Sequence, residues 1–265
     1  MSAIIEVRGV SKAFQIPTER RDTLREHVLG LFEPRQFQEL QVLDGISFDV
    51  QPGEALGIMG RNGCGKSTLL KILCGIFPPD AGDVRTHAPI TPILELGVGW
   101  NPELDAVDNV CLIGSVMGLS LAELRRRMGE ILDFAELERF AHLKLKHYSS
   151  GMSARLAYAV AFAAVRDVLV LDEIFAVGDA GFKAKCEERF RGLHAAGHAV
   201  VLVSHDPRHI SEFCDRAVLI DGGRIVHADT PSYVVQRYLA LLAHAVPERR
   251  ARSRLGPRSE PRATD

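Results

Sequence analysis

Apolar and polar residues alternate from Ile4 to Phe14 and again over Val42 to Val50 (VLDGISFDV), just before a Pro-Gly turn, so the chain is predicted to open with two half-buried strands. Between them Pro17 to Leu40 is charged, with Leu24, Val28, Leu31 and Phe32 at helical spacing. That segment reads as an insertion carrying a short amphipathic helix, which either docks a partner or packs as a surface helix. A short apolar strand, Ala55 to Met59, passes through a glycine-rich turn into the helical pattern Ser67 to Ile76, which stops ahead of Pro78-Pro79. From Ser120, with Glu123 completing a capping box, LAELRRRMGEILDF is helical, and helix is expected to continue to about His142. Val168 to Leu171, Ala199 to Val203 and Ala217 to Ile220 are apolar without alternation, as in strands covered by helices on both faces. The pattern predicts an α/β fold: a mostly parallel sheet, an antiparallel β edge, and an inserted helical subdomain at about residues 100–165.

Composition narrows the class. With 265 residues, 46% apolar and 25% charged, the chain can bury a sizeable core. A net charge of -2 gives no electrostatic reason to bind nucleic acid. The five cysteines, Cys64, Cys74, Cys111, Cys186 and Cys214, are scattered, without the close pairs of zinc or redox sites, and read as reduced thiols. The longest apolar run, around Leu156 to Leu171, is interrupted by Arg166-Asp167, so no membrane span is expected. After Leu242 the sequence turns rich in Arg and Pro, and residues 243–265 are expected to form a disordered tail beyond a single domain at 1–242.

The strongest chemical signal is Gly60-Arg61-Asn62-Gly63-Cys64-Gly65-Lys66-Ser67-Thr68, which fits G-x-x-x-x-G-K-[ST] between a buried-strand pattern and a helix. Its glycines let backbone N–H groups wrap a nucleoside triphosphate's phosphates. Lys66 would reach the β- and γ-phosphates, Ser67 would ligate Mg²⁺, and Thr68 would add a phosphate hydrogen bond. Cys64 reads as a small tolerated residue. The core is therefore of the P-loop NTPase type. Val168 to Leu171 then delivers Asp172 and Glu173 to a strand's C-terminal end, where open α/β sheets bind ligands. Adjacent strand residues point apart, so Asp172 can bind Mg²⁺, mostly through water, while Glu173 polarises the attacking water as general base.

Tyr148-Ser149-Ser150-Gly151-Met152, lying between those two motifs, makes the sequence resemble the nucleotide-binding domain of ABC transporters. In that family an L-S-G-G-Q signature closes over the γ-phosphate held by the other subunit of a dimer; here Ser149 and Gly151 match, while Tyr148, Ser150 and Met152 depart. The resemblance implies a second copy as partner, with the helix that follows aiming its N-terminal dipole across the interface. It further implies that Asp179 belongs to an acidic loop crossing to the partner, that His205 is a switch histidine on the γ-phosphate, and that Phe14 stacks on adenine. The family's glutamine after the strand following the phosphate loop, which serves Mg²⁺ and senses the membrane subunit, is missing; Glu95 is the polar residue nearest its place, and the resemblance implies it as the Mg²⁺ residue there.

ILELGVGWNPEL, YSSGM, DEIFAVGD and the insertion after VSKAF together resemble the ATPases that export capsular polysaccharide, O-antigen or teichoic acid chains, over about Ile4 to Leu242. That implies ATP and Mg²⁺, a homodimer beneath a permease of about six transmembrane helices, a lipid-linked glycan as cargo, and a peripheral place on the cytoplasmic face of the inner or plasma membrane. The carbohydrate-binding domain of some members is not expected. Importers, small-molecule exporters and soluble ABC ATPases share the chemistry and stay open as alternatives.

Overall fold

The computed structural model describes residues 2–17, 37–94, 99–172 and 179–253. Two sheets carry the fold. An antiparallel sheet has the order β2-β1-β4, with β1 at Ile5–Pro17, β2 at Phe37–Val50 and β4 at Ala81–Thr86. The larger sheet has the order β5-β6-β7-β3-β8-β9, built from β3 (Ala55–Gly60), β5 (Ile90–Ile93), β6 (Val168–Asp172), β7 (Ala199–Val203), β8 (Arg216–Asp221) and β9 (Arg224–Asp229). Its strands pair in parallel except β8 with β9.

The missing alternation in the central strands has a direct cause. On β6, Val168 and Val170 face the antiparallel sheet and helix α1 (Lys66–Leu73), while Leu169 and Leu171 face the helices behind. Ala199, Val201 and Val203 of β7 face one way and Val200 and Leu202 the other. Each such fully buried Val or Leu contributes roughly 1.5–3 kcal/mol.

The helical layer comprises α2 (Ala106–Val116), α3 (Leu121–Ala135) and α4 (Ser150–Ala163). Helix α4 is buried from Leu156 to Ala163 because it serves two cores. Tyr158 and Phe162 pack toward the large sheet, Leu156 and Val160 toward α2 and α3. Behind the sheet lie α5 (Ala180–Ala195), α6 (Pro207–Phe213) and α7 (Pro231–Ser253).

Several boundaries differ from the sequence reading. Helix α3 has its expected capping box but ends at Glu136, in the left-handed region at φ 59°, and a short 3-10 turn at Glu138–Phe140 replaces the helix expected to His142. The expected insertion begins and ends as strand: Phe14 pairs Leu40, and Pro17 pairs Phe37, at the end of a long ribbon. Its anticipated helix, Leu24 to Phe32, lies outside the described residues. Helix α7 runs past Leu242 to Ser253. Among the described residues no helix is long and apolar enough to cross a membrane.

Candidate functional site

The phosphate loop is held by contacts that leave no room for side chains. Gly60 ends β3 beside Ile220 of β8, and a Cβ there would lie 2.4 Å from the Ile220 carbonyl oxygen. Gly65 caps α1 at φ 104°, and its Cβ would lie 2.6 Å from Leu43 and 2.8 Å from the Val42 carbonyl. Only glycine satisfies both demands. The loop N–H groups and the N-terminus of α1 therefore face a fixed point.

Lys66 is only 8% exposed, and its ammonium donates to the Gly60 carbonyl at 2.7 Å and the Arg61 carbonyl at 3.1 Å. Next to it, Ser67 Oγ donates to Asp172 Oδ2 at 2.9 Å, joining the loop to the end of β6 across the intervening strand β7. A cavity of about 470 Å³ opens here, lined by Asn62, Gly63, Gly65, Lys66, Ser67 and Thr68 with Asp172, Val42 and Leu94. Its size suits a small-molecule ligand, and its floor is rich in donors for anionic oxygen. Cys64 is buried, and desolvation pushes its thiol pKa up despite nearby Lys66, so it stays protonated and inert.

Val203, the last residue of β7, pairs with Asp172 of β6, so the turn Ser204-His205-Asp206 leaves the sheet beside that carboxylate. His205 is exposed and Ser204 buried. Glu173 and Glu95 lie outside the described residues; in the chain they follow directly on Asp172 and Leu94, both at the cavity.

The other expected residues do not line this cavity. Ser149 is the N-cap of α4, accepting the Met152 N–H at 3.2 Å, which leaves its own O–H free to donate outward. Ser149 and Ser150 are exposed. Tyr148 donates to the Phe140 carbonyl at 2.7 Å, which gives the tyrosine at the family's leucine position a structural use. Asp179 caps α5 through the Phe182 N–H at 2.9 Å, which holds its carboxyl below the usual range, and forms an ion pair with Arg155. Arg155 also pairs with Glu136 and stacks on Phe182, so it ties α4 to α3 and α5. Phe14 packs edge-on against Phe77 at 5.9 Å, with the Lys12 ammonium 5.8 Å from its ring centre.

Sequence reasoning passed over Val42, Leu94 and Arg155. Val42 and Leu94 look like ordinary apolar residues, and only the approach of β2 and β5 to the loop gives them a place at the cavity. Arg155 sits in the stretch that follows the signature, where position alone could have drawn attention to it.

A family model described as ABC transporter matches residues 43–176, which span both the phosphate loop and Asp172. The chain belongs to the ABC transporter family. It is 39% identical over 95% of its length to the ABC transporter protein AbcA of Aeromonas salmonicida, covering 80% of that protein. It is 34% identical over 92% of its length to the O-antigen export system ATP-binding protein RfbB of Klebsiella pneumoniae, covering all of it. In fold it is similar to the dimeric structure of a bacterial ABC transporter cassette, with a TM-score of 0.67, 25% identity, and coverage of 86% of this chain and 98% of the other. The chain is thus an ABC ATPase subunit, and its phosphate loop and Asp172 both lie within the matched residues.

Proposed function

We propose that this ABC ATPase subunit powers export of a lipid-linked polysaccharide, working as a homodimer on the cytoplasmic face of the inner or plasma membrane beneath a membrane-embedded permease. The observation that carries the ATPase chemistry is the placement of Lys66, Ser67 and Asp172 around one donor-lined cavity. Full-length similarity to an O-antigen export ATP-binding protein supports the cargo class, together with the ILELGVGWNPEL and DEIFAVGD segments.

ATP phosphates replace the loop carbonyls as partners of the Lys66 ammonium, at no cost in unsatisfied charge. Ser67 Oγ and Asp172 Oδ2, hard oxygen donors 2.9 Å apart, suit Mg²⁺ and would hold it. When bound, the ion supplies neutralising charge to the phosphate oxygens. Glu173 accepts the proton of the attacking water, whose oxygen bonds to γ-phosphorus as the bond to the β–γ bridging oxygen breaks. His205 donates to the γ-phosphate and holds that water. Ser149, Ser150, Gly151 and Met152 of the second copy close the far side, so the exposed N-terminus of α4 finds its anion in the dimer. Phe14 stacks on adenine through its free face, and Asp179 helps join the two copies. Glu95, nearest in the sequence to the family's missing glutamine, would take over its service to Mg²⁺ and to the permease.

The test is ATPase activity of the purified chain alone, with its permease in lipid, and with permease plus lipid-linked glycan. Stimulation that needs both is expected; activity indifferent to the glycan would withdraw the cargo assignment and leave the ATPase in place.

A further inference from the structure

Strand β7 sends two successive residues into opposite environments, Ser204 at 3% exposure and His205 in the open. Ser204 is fixed from three sides. Its N–H donates to the Ile58 carbonyl of β3 at 3.4 Å. Its Oγ accepts the Asp206 N–H at 3.1 Å, closing a tight turn around His205. The same Oγ lies 3.3 Å from Nδ1 of His209 in α6. A serine hydroxyl that accepts one hydrogen still has its own to give, so with the His209 proton on Nε2 the connected set runs from Asp206 N–H to Ser204 Oγ, and from Ser204 O–H to His209 Nδ1.

We infer that His209 is a positioning residue for His205, fixing through the Ser204 hydroxyl the turn that presents the switch histidine to the γ-phosphate. The inference rests on the reading of His205 given above. It adds a half-buried acceptor that acts on the site without touching nucleotide.

The surroundings of His209 favour the required neutral ring. Its side chain is 19% exposed and packs at 6.1 Å, centre to centre, against Phe213. Asp206 Oδ2 lies 4.0 Å from its Nε2. Glu187 of α5 and Glu212 of α6 also favour its charged form, while Arg208 opposes it. Desolvation outweighs these carboxylates and holds the imidazole below its ordinary value of about 6.5. Protonation turns Nδ1 from acceptor into donor, so Ser204 Oγ then meets two donors while its own hydrogen loses that acceptor. The turn loosens as pH falls, and kcat falls with it.

The experiment compares ATPase kinetics of the full-length chain, from pH 5 to 8, for wild type, His209→Leu, His209→Asn, Ser204→Ala and His205→Ala, with ATP binding measured separately. His209→Leu and Ser204→Ala are expected to lower kcat about tenfold with the ATP Kd unchanged, because a displaced catalytic group costs rate rather than ground-state binding. His209→Asn places an amide oxygen near Nδ1; it is expected to recover most of the rate and to move the acid limb to lower pH. In a His205→Ala background His209→Leu should cost nothing more. Should His209→Leu fail to fold, Ser204→Ala carries the same expectation. Wild-type kcat in both His209→Leu and Ser204→Ala, beside an inactive His205→Ala, would overturn the role of His209 and leave that of His205. Full activity of His205→Ala would overturn the parent reading instead.

Discussion

The phosphate loop and the signature segment offer the same chemistry, backbone N–H groups and a hydroxyl at a helix N-terminus, in opposite physical states. The loop is walled in. Gly60 and Gly65 touch neighbouring backbone, Lys66 is 8% exposed, and Ser67 already holds Asp172. The N-terminus of α4 is open, with Ser149 and Ser150 exposed, although the rest of that helix is buried in two cores. Rigidity is thus supplied to both by the interior, but among the described residues it is the loop that lines a cavity. On the proposed function the difference marks where a second copy comes in: a well-supported helix N-terminus with no walls is half of a site.

Four substitutions sharpen that contrast. The largest effect is expected from Lys66→Ala, which removes the cation from the enclosed half; steady-state hydrolysis should fall about 100-fold or more. Next is Gly60→Ala, whose new Cβ meets the Ile220 carbonyl. A stability loss of about 3 kcal/mol is expected from such overpacking, read from urea denaturation, with ATP binding lost as well. On the open half, Ser149→Ala removes an N-cap but leaves α4 anchored. Stability should fall by about 1 kcal/mol and turnover by about tenfold, the worth of one hydrogen bond to a charged group, while ATP binding to the isolated subunit is unchanged. Loss of that binding would mean the two halves are not separable. The smallest effect is that of Ser120→Ala in the capping box of α3, away from the site; about 1 kcal/mol of stability is expected to go, seen as a drop in Tm of about 2–4 °C, with turnover intact.

What could be read from sequence follows the same division between local and assembled features. The phosphate loop, Asp172 and the central strands were legible because each is a contiguous run whose pattern reports its own surroundings. Strands β4 and β9 were not, since AGDVRT and RIVHAD are largely exposed edge strands without apolar alternation. The end of α3 was missed because Glu136, not glycine, takes the left-handed position. Val42 belongs to the cavity only through the packing of β2 against Gly65, a contact between distant parts of the chain. The Ser204–His209 contact joins a strand end to the following helix, and nothing in VSHDPRH marks its second histidine as a partner of the serine.

The central claim, that each working site is assembled from the loop of one copy and the signature of another, is tested most directly by mixing two inactive chains. Lys66→Ala and Ser149→Arg each disable both sites of their own homodimer. A mixed dimer concentrates the two lesions in one site and leaves the other wild type. Recovery of hydrolysis to about a quarter of the wild-type rate is expected on random mixing with independent sites, as two-fold symmetry requires. A mixture no more active than its separate components, with mixed dimers shown to form, would contradict shared sites.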